Sequence, residues 1–399
     1  MSIYNTRDQI PMIGLFNDSF PPIMDGVAVA TYNTAYWLYR MNQPVCVVTP
    51  KAPNYIISEP YPVYRYSSLP LFTRKPYRLG LPEIDLTFQN KLDRIPFGLV
   101  HAHCPFTSGQ LALRIARERN IPLVATFHSK YKDDFERAIP NKTVVSLLMK
   151  ELIRFYEKAD EVWIPQAAVE ETIRQYGYKG QVTVVENGND FAGMPNVDVF
   201  KTASRREMNI PTNKPVFLFV GQHIWEKNTA LIIDSLAMLR DMDYCMFFIG
   251  AGYAADEMKQ RVAEAGIQDK VKFEGVVLDR NVLKKYYAAA DVFLFPSVYD
   301  NAPLVVREAA AMQTPAILVK GSTASEIIGD GINGFLIENS PQALASKLRS
   351  LMSDKASLHK AGQNAAATIA RSWEDVSAEV HSRYLNLIDR KVTNYRKNA

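Results

Sequence analysis

The chain has 399 residues, which is more than one hydrophobic core usually supports, so its length favours two domains. Hydrophobic residues make up 47% and charged residues 22% of the sequence, a composition typical of a folded protein without long disordered segments. The formal net charge is only +4. This small excess gives no reason to expect a nucleic-acid partner, although local basic patches can still meet anionic lipid heads.

The sequence predicts a cytoplasmic protein that can touch the inner face of the cell membrane. The first segment, MSIYNTRDQIPMIGLF, passes through polar residues before its first strand and lacks the apolar core of a signal peptide. No apolar run reaches ~18 residues, so no membrane-spanning helix is predicted. Cys46, Cys104 and Cys245 are widely spaced in or beside apolar segments, which favours free thiols in a reducing compartment over disulfides or a zinc site.

Short apolar runs alternate with helical stretches along the whole chain, which indicates parallel sheets covered by helices. The strands predicted in the first half are Met12–Phe16, Val45–Val48, Leu99–His103, Leu123–Phe127, Val162–Ile164 and Val182–Val185. Those predicted in the second half are Val216–Val220, Met246–Ile249, Val271–Phe273, Val292–Phe295 and Ala316–Val319.

The polar, irregular segment between Gly188 and Lys214 is the best candidate for a linker. We therefore predict an α/β fold with two Rossmann-like domains, residues 1–195 and 196–372, that face each other across a cleft. Such sheets usually bind ligands at the carboxyl ends of their strands. The C-terminal segment, residues 373–399, is predicted to be helical and to pack back on the first domain.

The stretch FPSVYDNAPLVVREAAAMQTPAIL predicts an anion site at the start of a helix. Pro296 and Ser297 end a buried strand, and Asp300 or Asn301 can cap a helix that has Pro303 in its first turn. The first amides of that helix suit a phosphate or a diphosphate. Asp300, just before the helix, and Glu308, about two turns into it, can hold other parts of a sugar nucleotide. The alternative is an ordinary strand and helix pair with a solvated Glu308.

Two further segments could bind phosphate. Asp25 and Gly26 precede a predicted helix, and a glycine there lets the backbone approach a ligand closely. In FVGQHIWEKNTALIIDSL, Lys227 stands just before a helix start that Asn228 can cap, and its ammonium could meet a leaving phosphate. A plain turn and a solvated lysine are the alternatives at these two places.

Three histidines lie at or beside strand ends. His128 follows a strand at the carboxyl edge, where it could bond a sugar hydroxyl or the acceptor, or could simply be structural. His101 and His103 alternate within VHAHCPF and should therefore point to one face of a strand. No third ligand with suitable spacing accompanies them, so a metal site is not expected.

A dinucleotide site is the rival interpretation. Gly250, Gly252 and Ala255 follow a strand as G-x-G-x-x-A, with Glu274 at about the distance of a ribose-binding acid. The signal is weak, because it follows the second strand of its half whereas the dinucleotide fingerprint normally follows the first.

Together these segments resemble a known family. In chain order, the resemblance is carried by FPPIMDGVAVA, HAHCPFTSGQLALRIARERNIPLVATFHSKY, VENGND, VGQHIWEKN, IGAGY, FPSVYDNAPLVVREAAAMQTPAIL, DGINGFL and SWEDV. The family is that of the retaining GT-B glycosyltransferases, and specifically glycosyltransferase family 4. The resemblance implies transfer of a hexose to a hydroxyl acceptor with the anomeric configuration retained. The donor that the family favours is UDP-glucose, so the expected hexose is glucose. The nucleotide sugar is then a substrate, and no cofactor or metal is implied.

The resemblance also implies residue roles. Asp300 and Glu308 match the family pattern of an acid, seven residues and a glutamate, so Asp300 would contact the donor sugar and Glu308 the ribose. His128 would lie beside the reacting sugar. The implied donor-binding residues are Gly26, Gln222, Lys227, Asp300, Asn301, Ala302, Pro303, Leu304 and Glu308, and the implied catalytic residues are His128, Lys227 and Asp300.

The sequence departs from the family pattern at three positions. Asp300 replaces the usual glutamate and is shorter by one methylene. Gln222 stands where an arginine is common, which leaves more of the cationic role to Lys227. Gln313 replaces the usual glycine in AMQTP, which puts the local backbone in doubt. The first two departures motivate a second hypothesis, a nucleotide-sugar or membrane-surface binding protein that has kept the fold and lost turnover.

The DGVA and HSKYKDDF segments resemble in part the branch that glucosylates diacylglycerol, so a membrane lipid or a cell-envelope glycan is the expected acceptor. Two elements could meet lipid heads. One is LFTRKPYRLGLP, with Arg74, Lys75, Tyr77 and Arg78. The other is the predicted helix Thr143–Lys158, with Val144, Leu148, Leu152 and Phe155 on one face and Lys150, Arg154 and Lys158 off it. Both also fit a solvated loop and a core-facing helix.

Overall fold

The computed structural model describes residues 10–23, 25–53, 55–56, 58–71 and 77–398, with side chains to residue 393. The chain divides into two compact units. The first contains the chain up to Asn187 and again from Trp373, and the second runs from Gly188 to Ser372.

Both units alternate strands and helices. The strands are β1 (Met12–Phe16), β2 (Val45–Pro50), β3 (Val63–Tyr66), β4 (Ser68–Pro70), β5 (Arg78–Gly80), β6 (Phe97–Ala102), β7 (Leu123–Thr126), β8 (Glu161–Ile164), β9 (Thr183–Val184), β10 (Val216–Val220), β11 (Cys245–Ile249), β12 (Val271–Gly275), β13 (Val292–Phe295), β14 (Ala316–Val319) and β15 (Phe335–Ile337). The α-helices are α1 (Gly26–Arg40), α2 (Leu86–Leu92), α3 (Thr107–Arg119), α4 (Tyr131–Ala138), α5 (Lys142–Tyr156), α6 (Val169–Gln175), α7 (Val197–Glu207), α8 (Thr229–Ala237), α9 (Ala255–Glu264), α10 (Arg280–Ala289), α11 (Leu304–Ala311), α12 (Pro341–Ser353), α13 (Lys355–Thr368) and α14 (Trp373–Asn398). Short 3-10 helices occupy Pro82–Ile84, Trp225–Lys227 and Thr323–Ile327.

Each unit is built on a parallel sheet, as predicted. The first sheet has the order β3-β2-β1-β6-β7-β8-β9, and the second has the order β12-β11-β10-β13-β14-β15. Residues of β2, β10, β11, β13 and β14 are buried throughout, because helices cover both faces of a parallel sheet. In both orders, the next strands of the chain lie on one side of the first strand, and the later strands lie on its other side, which is the Rossmann-like arrangement. The switch points lie between β1 and β6 and between β10 and β13.

The predicted boundary at residues 195 and 196 lies eight residues too late, since the second unit begins at Gly188. Local contacts explain the difference. The Asn189 amide donates to the Arg371 carbonyl at 2.9 Å. Phe191 is buried and its ring packs 5.9 Å from that of Tyr287. Part of the predicted linker therefore belongs to the core of the second unit.

Helix α14 packs on the first unit. The Tyr384 ring stacks on Trp163 with centroids 5.5 Å apart. His381 bonds Gln43 at 2.9 Å. Among the described residues, none of the helices combines the length and apolar character that a membrane span requires.

The buried face of α5 differs from the predicted one. The predicted face included Val144 and Leu148, but these side chains are 43% and 37% exposed. The helix instead buries Val145 and Met149, one position further along, together with Leu152 and Phe155. Both faces of this helix are apolar, so its periodicity could not tell which one meets the core.

Gln313 adopts the backbone that its usual glycine would adopt. Its φ is +55°, in the left-handed region, directly after the end of α11. Helix α13 packs close to this turn, because a Cβ on Gly362 would lie 2.1 Å from the Gln313 carbonyl oxygen. The departure at position 313 thus leaves the turn intact but strains its backbone.

We expect Gln313→Gly to raise the free energy of unfolding by about 1 kcal/mol, because glycine adopts positive φ without a Cβ clash. Thermal or urea unfolding would measure the change. Gln313→Ala is the matched control, since it removes the side chain but keeps the Cβ. A gain in Gln313→Ala equal to that in Gln313→Gly would contradict the assignment to backbone strain.

Candidate active site

The loops after β10 and β13 meet at the switch point of the second sheet. Lys227 ends the short helix after β10 and forms an ion pair with Asp300, which follows β13. The two side chains are only 12% and 17% exposed. The second carboxylate oxygen of Asp300 accepts a hydrogen bond from the Ser297 hydroxyl at 2.6 Å. The structure thus places two predicted catalytic residues in direct contact.

Aromatic rings border the Lys227 ammonium. Its Nζ lies 5.7 Å from the ring centroids of both Phe295 and Tyr299. These distances are within the range of cation–π attraction. The ammonium is therefore held by one carboxylate and two ring faces, and it is not the solvated lysine of the alternative interpretation.

The start of α11 differs in detail from the prediction. Pro303 occupies the N-cap position and no side chain caps the helix within the described structure. Asp300 does not cap because its oxygens bond Lys227 and Ser297. Asn301, the other predicted cap, is buried. The first amides of α11, at Leu304 and Val305, lack a side-chain cap and point toward the carboxyl edge of the sheet, where an anion can accept from them.

Glu308 is 5% exposed, so the alternative of a solvated side chain is wrong. Its Oε1 accepts from Arg280 Nη2 at 2.6 Å, and its Oε2 accepts from the Tyr287 hydroxyl at 2.7 Å. Arg280 also donates to both oxygens of Asp190, at 2.7 and 3.0 Å. Burial, followed by the Glu308 carboxylate, raises the pKa of Tyr287, so this hydroxyl remains a donor.

The partners of Glu308 were not identified from the sequence. Arg280 begins α10, Tyr287 lies on its buried face, and Asp190 lies in the predicted linker. The positions of Arg280 and Tyr287 are seven apart, about two helical turns, which places them on one side of α10. That spacing is the one local signal that could have suggested a shared target.

Asn228 also has a role other than the predicted one. It precedes α8 at a φ of +59°, and no side-chain cap forms there in the part of the chain that is described. Its side-chain amide instead donates to the Pro296 carbonyl at 3.1 Å and to Asn339 at 2.8 Å. Asn228 therefore ties the Lys227 loop to the end of β13.

Gln222 lies in the loop directly after β10 and is exposed. The nearby glycines of the G-x-G-x-x-A segment serve the packing of this loop. A Cβ on Gly250 would lie 1.9 Å from the Gly221 carbonyl oxygen, and one on Gly252 would lie 2.3 Å from that of His223. These contacts explain both glycines without a dinucleotide.

In the first unit, Gly26 is the first residue of α1. Asp25 caps this helix by accepting from the Ala28 amide at 2.8 Å. Among the described residues, no atom lies within 4 Å of a Cβ built on Gly26, and the residue is exposed. None of these described residues requires a glycine at this position, which leaves room beside them for a ligand close to the backbone.

The residues predicted for acceptor or membrane contact have mixed outcomes. Tyr77 donates to Asp25 Oδ2 at 3.0 Å, and Arg78 donates to the Ser68 hydroxyl at 2.7 Å. Both are half-buried and held by their own unit. Arg74 and Lys75 lie outside the described residues.

His128 belongs to a stack of three histidines in the first unit. His101 and His103 share one face of the strand end, as predicted, with ring centroids 4.1 Å apart. His103 Nδ1 lies 3.2 Å from His128 Nε2. His101 contacts the Tyr384 hydroxyl at 2.5 Å and the Thr126 hydroxyl at 2.7 Å. Within the described ranges, no group of three or more such side chains is arranged to hold a metal.

A cavity of about 280 Å³ lies in the second unit, beside the amino ends of β10, β13 and β14. Its lining includes Lys201 and Arg205, which both form ion pairs with Asp291. The charges along this lining are thus largely satisfied by the protein. The cavity lies at the edge of the sheet opposite Lys227 and Asp300, so it is not the candidate site.

Two protein-family models match the chain. Glycosyltransferase Family 4 matches residues 24–192, and Glycosyl transferases group 1 matches residues 200–368. The alpha-monoglucosyldiacylglycerol synthase of Streptococcus pneumoniae is 25% identical over 391 residues, which cover 94% of this chain and 86% of that protein.

Solved structures share the fold. Sucrose-phosphate synthase from Thermosynechococcus elongatus superposes with a TM-score of 0.78 at 21% identity, over 95% of this chain and all of that one. HepE of Anabaena, solved in complex with UDP-glucose, superposes with a TM-score of 0.70 at 18% identity, over 94% of this chain and 100% of the HepE chain.

We expect the stability of the protein to fall as the pH drops from about 6.5 toward 4. Burial lowers the pKa values of His101 and His103 well below the usual range and that of His128 to about 4. Below pH 6.5 the unfolded chain therefore binds more protons than the folded one, and folding loses free energy. His128 should contribute on the order of 1 kcal/mol to this loss at pH 5.

The measurement is the melting temperature between pH 7.5 and 5. His128→Asn should flatten the decline, because it removes an imidazole whose pKa is lowered in the folded protein. An identical slope in the wild type and in His128→Asn would contradict the role assigned to His128.

Proposed function

Because the chain is a glycosyltransferase of the GT-B fold, with a family 4 domain and a group 1 domain, we propose that it transfers glucose from UDP-glucose to a lipid hydroxyl with retention of configuration. The observation that carries the donor proposal is the cluster at the switch point of the second sheet. There a cation, an uncapped helix start and two anchored carboxylates lie within one unit.

Each part of a nucleoside diphosphate sugar has a matching group in this cluster. The diphosphate suits Lys227 and the amides of α11, since an ammonium and a helix start both attract anions. The ribose suits Glu308, whose carboxylate keeps acceptor sites beyond the two that Arg280 and Tyr287 use. The sugar hydroxyls suit Asp300. The UDP-glucose bound in the structurally similar HepE supports this choice of donor.

In the proposed reaction the bond between the anomeric carbon and the β-phosphate oxygen breaks, and a bond from that carbon to the acceptor oxygen forms. Negative charge develops on the departing phosphate, and Lys227 with the α11 amides stabilises it there. The acceptor attacks from the side of the leaving group, so the configuration is retained, and its proton passes to a departing phosphate oxygen. No step assigns Asp300 as a nucleophile: its oxygens bond Lys227 and Ser297 and keep further acceptor sites for sugar hydroxyls.

A lipid acceptor is supported by the surface of α5. Val144, Leu147 and Leu148 are exposed there, with Leu147 at 58%. Lys150 and Arg154 lie on the same helix, so apolar and cationic side chains occur together, as they do on helices that bind anionic membranes. The similarity to alpha-monoglucosyldiacylglycerol synthase points to the same class of acceptor.

The proposal is tested by incubating the full chain with radiolabelled UDP-glucose and vesicles that contain diacylglycerol. The expected product is a glucosylated lipid whose anomeric proton shows the α configuration in NMR, matching that of the donor. Saturable UDP-glucose binding without transfer to any of a broad acceptor panel would instead favour the catalytically weakened binding protein.

Lys227→Ala should lower kcat by about 100-fold or more, because it removes a preorganised charge from the site where negative charge develops. The transfer assay measures this effect. Lys259→Ala, at an exposed lysine of the same unit, is the control and should keep wild-type activity. Melting temperatures of both variants show whether each is folded. Near wild-type turnover in folded Lys227→Ala would remove the assigned role of Lys227.

Leu147→Glu should weaken sedimentation of the protein with vesicles rich in anionic lipid, by about tenfold or more, because it puts a negative charge on the apolar surface of α5. Val199→Glu is the control, since Val199 is 70% exposed on α7 of the second unit. Equal losses in the two variants, or no loss in Leu147→Glu, would argue against α5 as the lipid contact.

A further inference from the structure

The histidine stack contains one direct link to His128. His103 Nδ1 lies 3.2 Å from His128 Nε2, and their rings stack with an interplanar angle of 21°. His101 contacts the His103 ring face, while its own two nitrogens are used by Tyr384 and Thr126. His101 therefore packs against His103 in the stack, and His103 makes the hydrogen bond to His128.

His103 is buried, with 3% of its surface exposed. Its other nitrogen, Nε2, has no hydrogen-bond partner among the described residues. A small cavity of about 30 Å³ borders the ring, and Glu186 also lines that cavity without bonding His103 Nε2. The only ring nitrogen of His103 with a partner in the described structure is thus the one that faces His128.

This arrangement favours one position for the shared proton. Burial keeps both imidazoles neutral at pH 7, so one nitrogen of the contact donates and the other accepts. If His103 carried its proton on Nε2, that buried N–H would lack an acceptor, which is costly. A proton on Nδ1 leaves only a lone pair unpartnered and makes His103 the donor.

We infer that His103 is a positioning residue, which donates from Nδ1 to Nε2 of His128 and so fixes both the ring orientation and the Nδ1–H tautomer of His128. In this tautomer the proton of His128 is on Nδ1, so that Nδ1 donates a hydrogen bond and does not accept one. The effect on turnover rests on the proposed function and on the role beside the reacting sugar that the family resemblance implies for His128. The tautomer itself does not depend on that function.

Two conservative variants separate this role from simple packing. Asparagine places its side-chain amide near the position of imidazole Nδ1, whereas glutamine places its amide near Nε2. His103→Asn can therefore still donate to His128, and His103→Gln cannot reach it in the same way. Both variants leave the UDP-binding groups of the second unit untouched.

The first measurement is ¹⁵N NMR of the full chain with labelled histidine at pH 7.5. We expect His128 to show the Nδ1–H tautomer in the wild type and in His103→Asn, and a mixture of tautomers in His103→Gln. His128→Asn assigns the signal. An Nε2–H tautomer for His128 in the wild type would overturn the inference.

The second measurement is the transfer assay. We expect His103→Gln to lower kcat by about 10- to 100-fold with little change in the KM for UDP-glucose, and His103→Asn to recover most of the loss. Equal losses in the two variants, with unchanged thermal stabilisation by UDP, would reduce His103 to a packing role and overturn the inference. If the wild type transfers no glucose, the proposed function fails, and the NMR result still decides the tautomer.

Discussion

The ion pair between Lys227 and Asp300 connects two loops that leave neighbouring strands at the switch point of the second sheet. Both side chains are largely removed from water, so each charge would be costly to bury without the other. Ser297 satisfies the second carboxylate oxygen, and Asn228 ties one loop to the end of the other strand. The ammonium is thus held in place before any ligand arrives. In the proposed reaction this preorganisation lets Lys227 stabilise the leaving phosphate without rearrangement.

Glu308 depends on the same kind of constraint. A buried carboxylate is stable only when its oxygens are bonded, and here Arg280 and Tyr287 bond one oxygen each. Arg280 is in turn oriented by Asp190, so the segment just after the start of the second unit contributes to the site. The orientation of Glu308 is therefore set by α10 and by the chain entering the unit, not by α11 alone.

Much of the fold could be predicted because each buried parallel strand consists of a short run of apolar residues. Met12–Phe16, Val216–Val220, Val292–Phe295 and Ala316–Val319 agree with the prediction to the residue. The buried face of α5 could not be predicted, because apolar residues occur on two adjacent faces. The exact domain boundary could not be predicted either, because it depends on a few tertiary contacts, such as that of Asn189 with Arg371.

The candidate site was predictable in its residues but not in its bonds. Asp300, Lys227 and Glu308 were identified from motifs near strand ends and helix starts. The motifs could not show that Asp300 pairs with Lys227 instead of capping α11, because that choice depends on a partner 73 positions away. The bond between His103 and His128 joins two different strand ends in the same way. Local sequence patterns therefore indicate which side chains lie at the site, whereas the hydrogen bonds among them depend on tertiary contacts.

Donor binding between the loop after β10 and the start of α11 can be measured by hydrogen–deuterium exchange of the full chain with and without UDP-glucose, which reports the backbone amides that a ligand protects. We expect protection concentrated in residues 221–228 and 301–306, which would support donor binding at this site. Protection centred on residues 250–255, or unchanged exchange at saturating UDP-glucose, would contradict it.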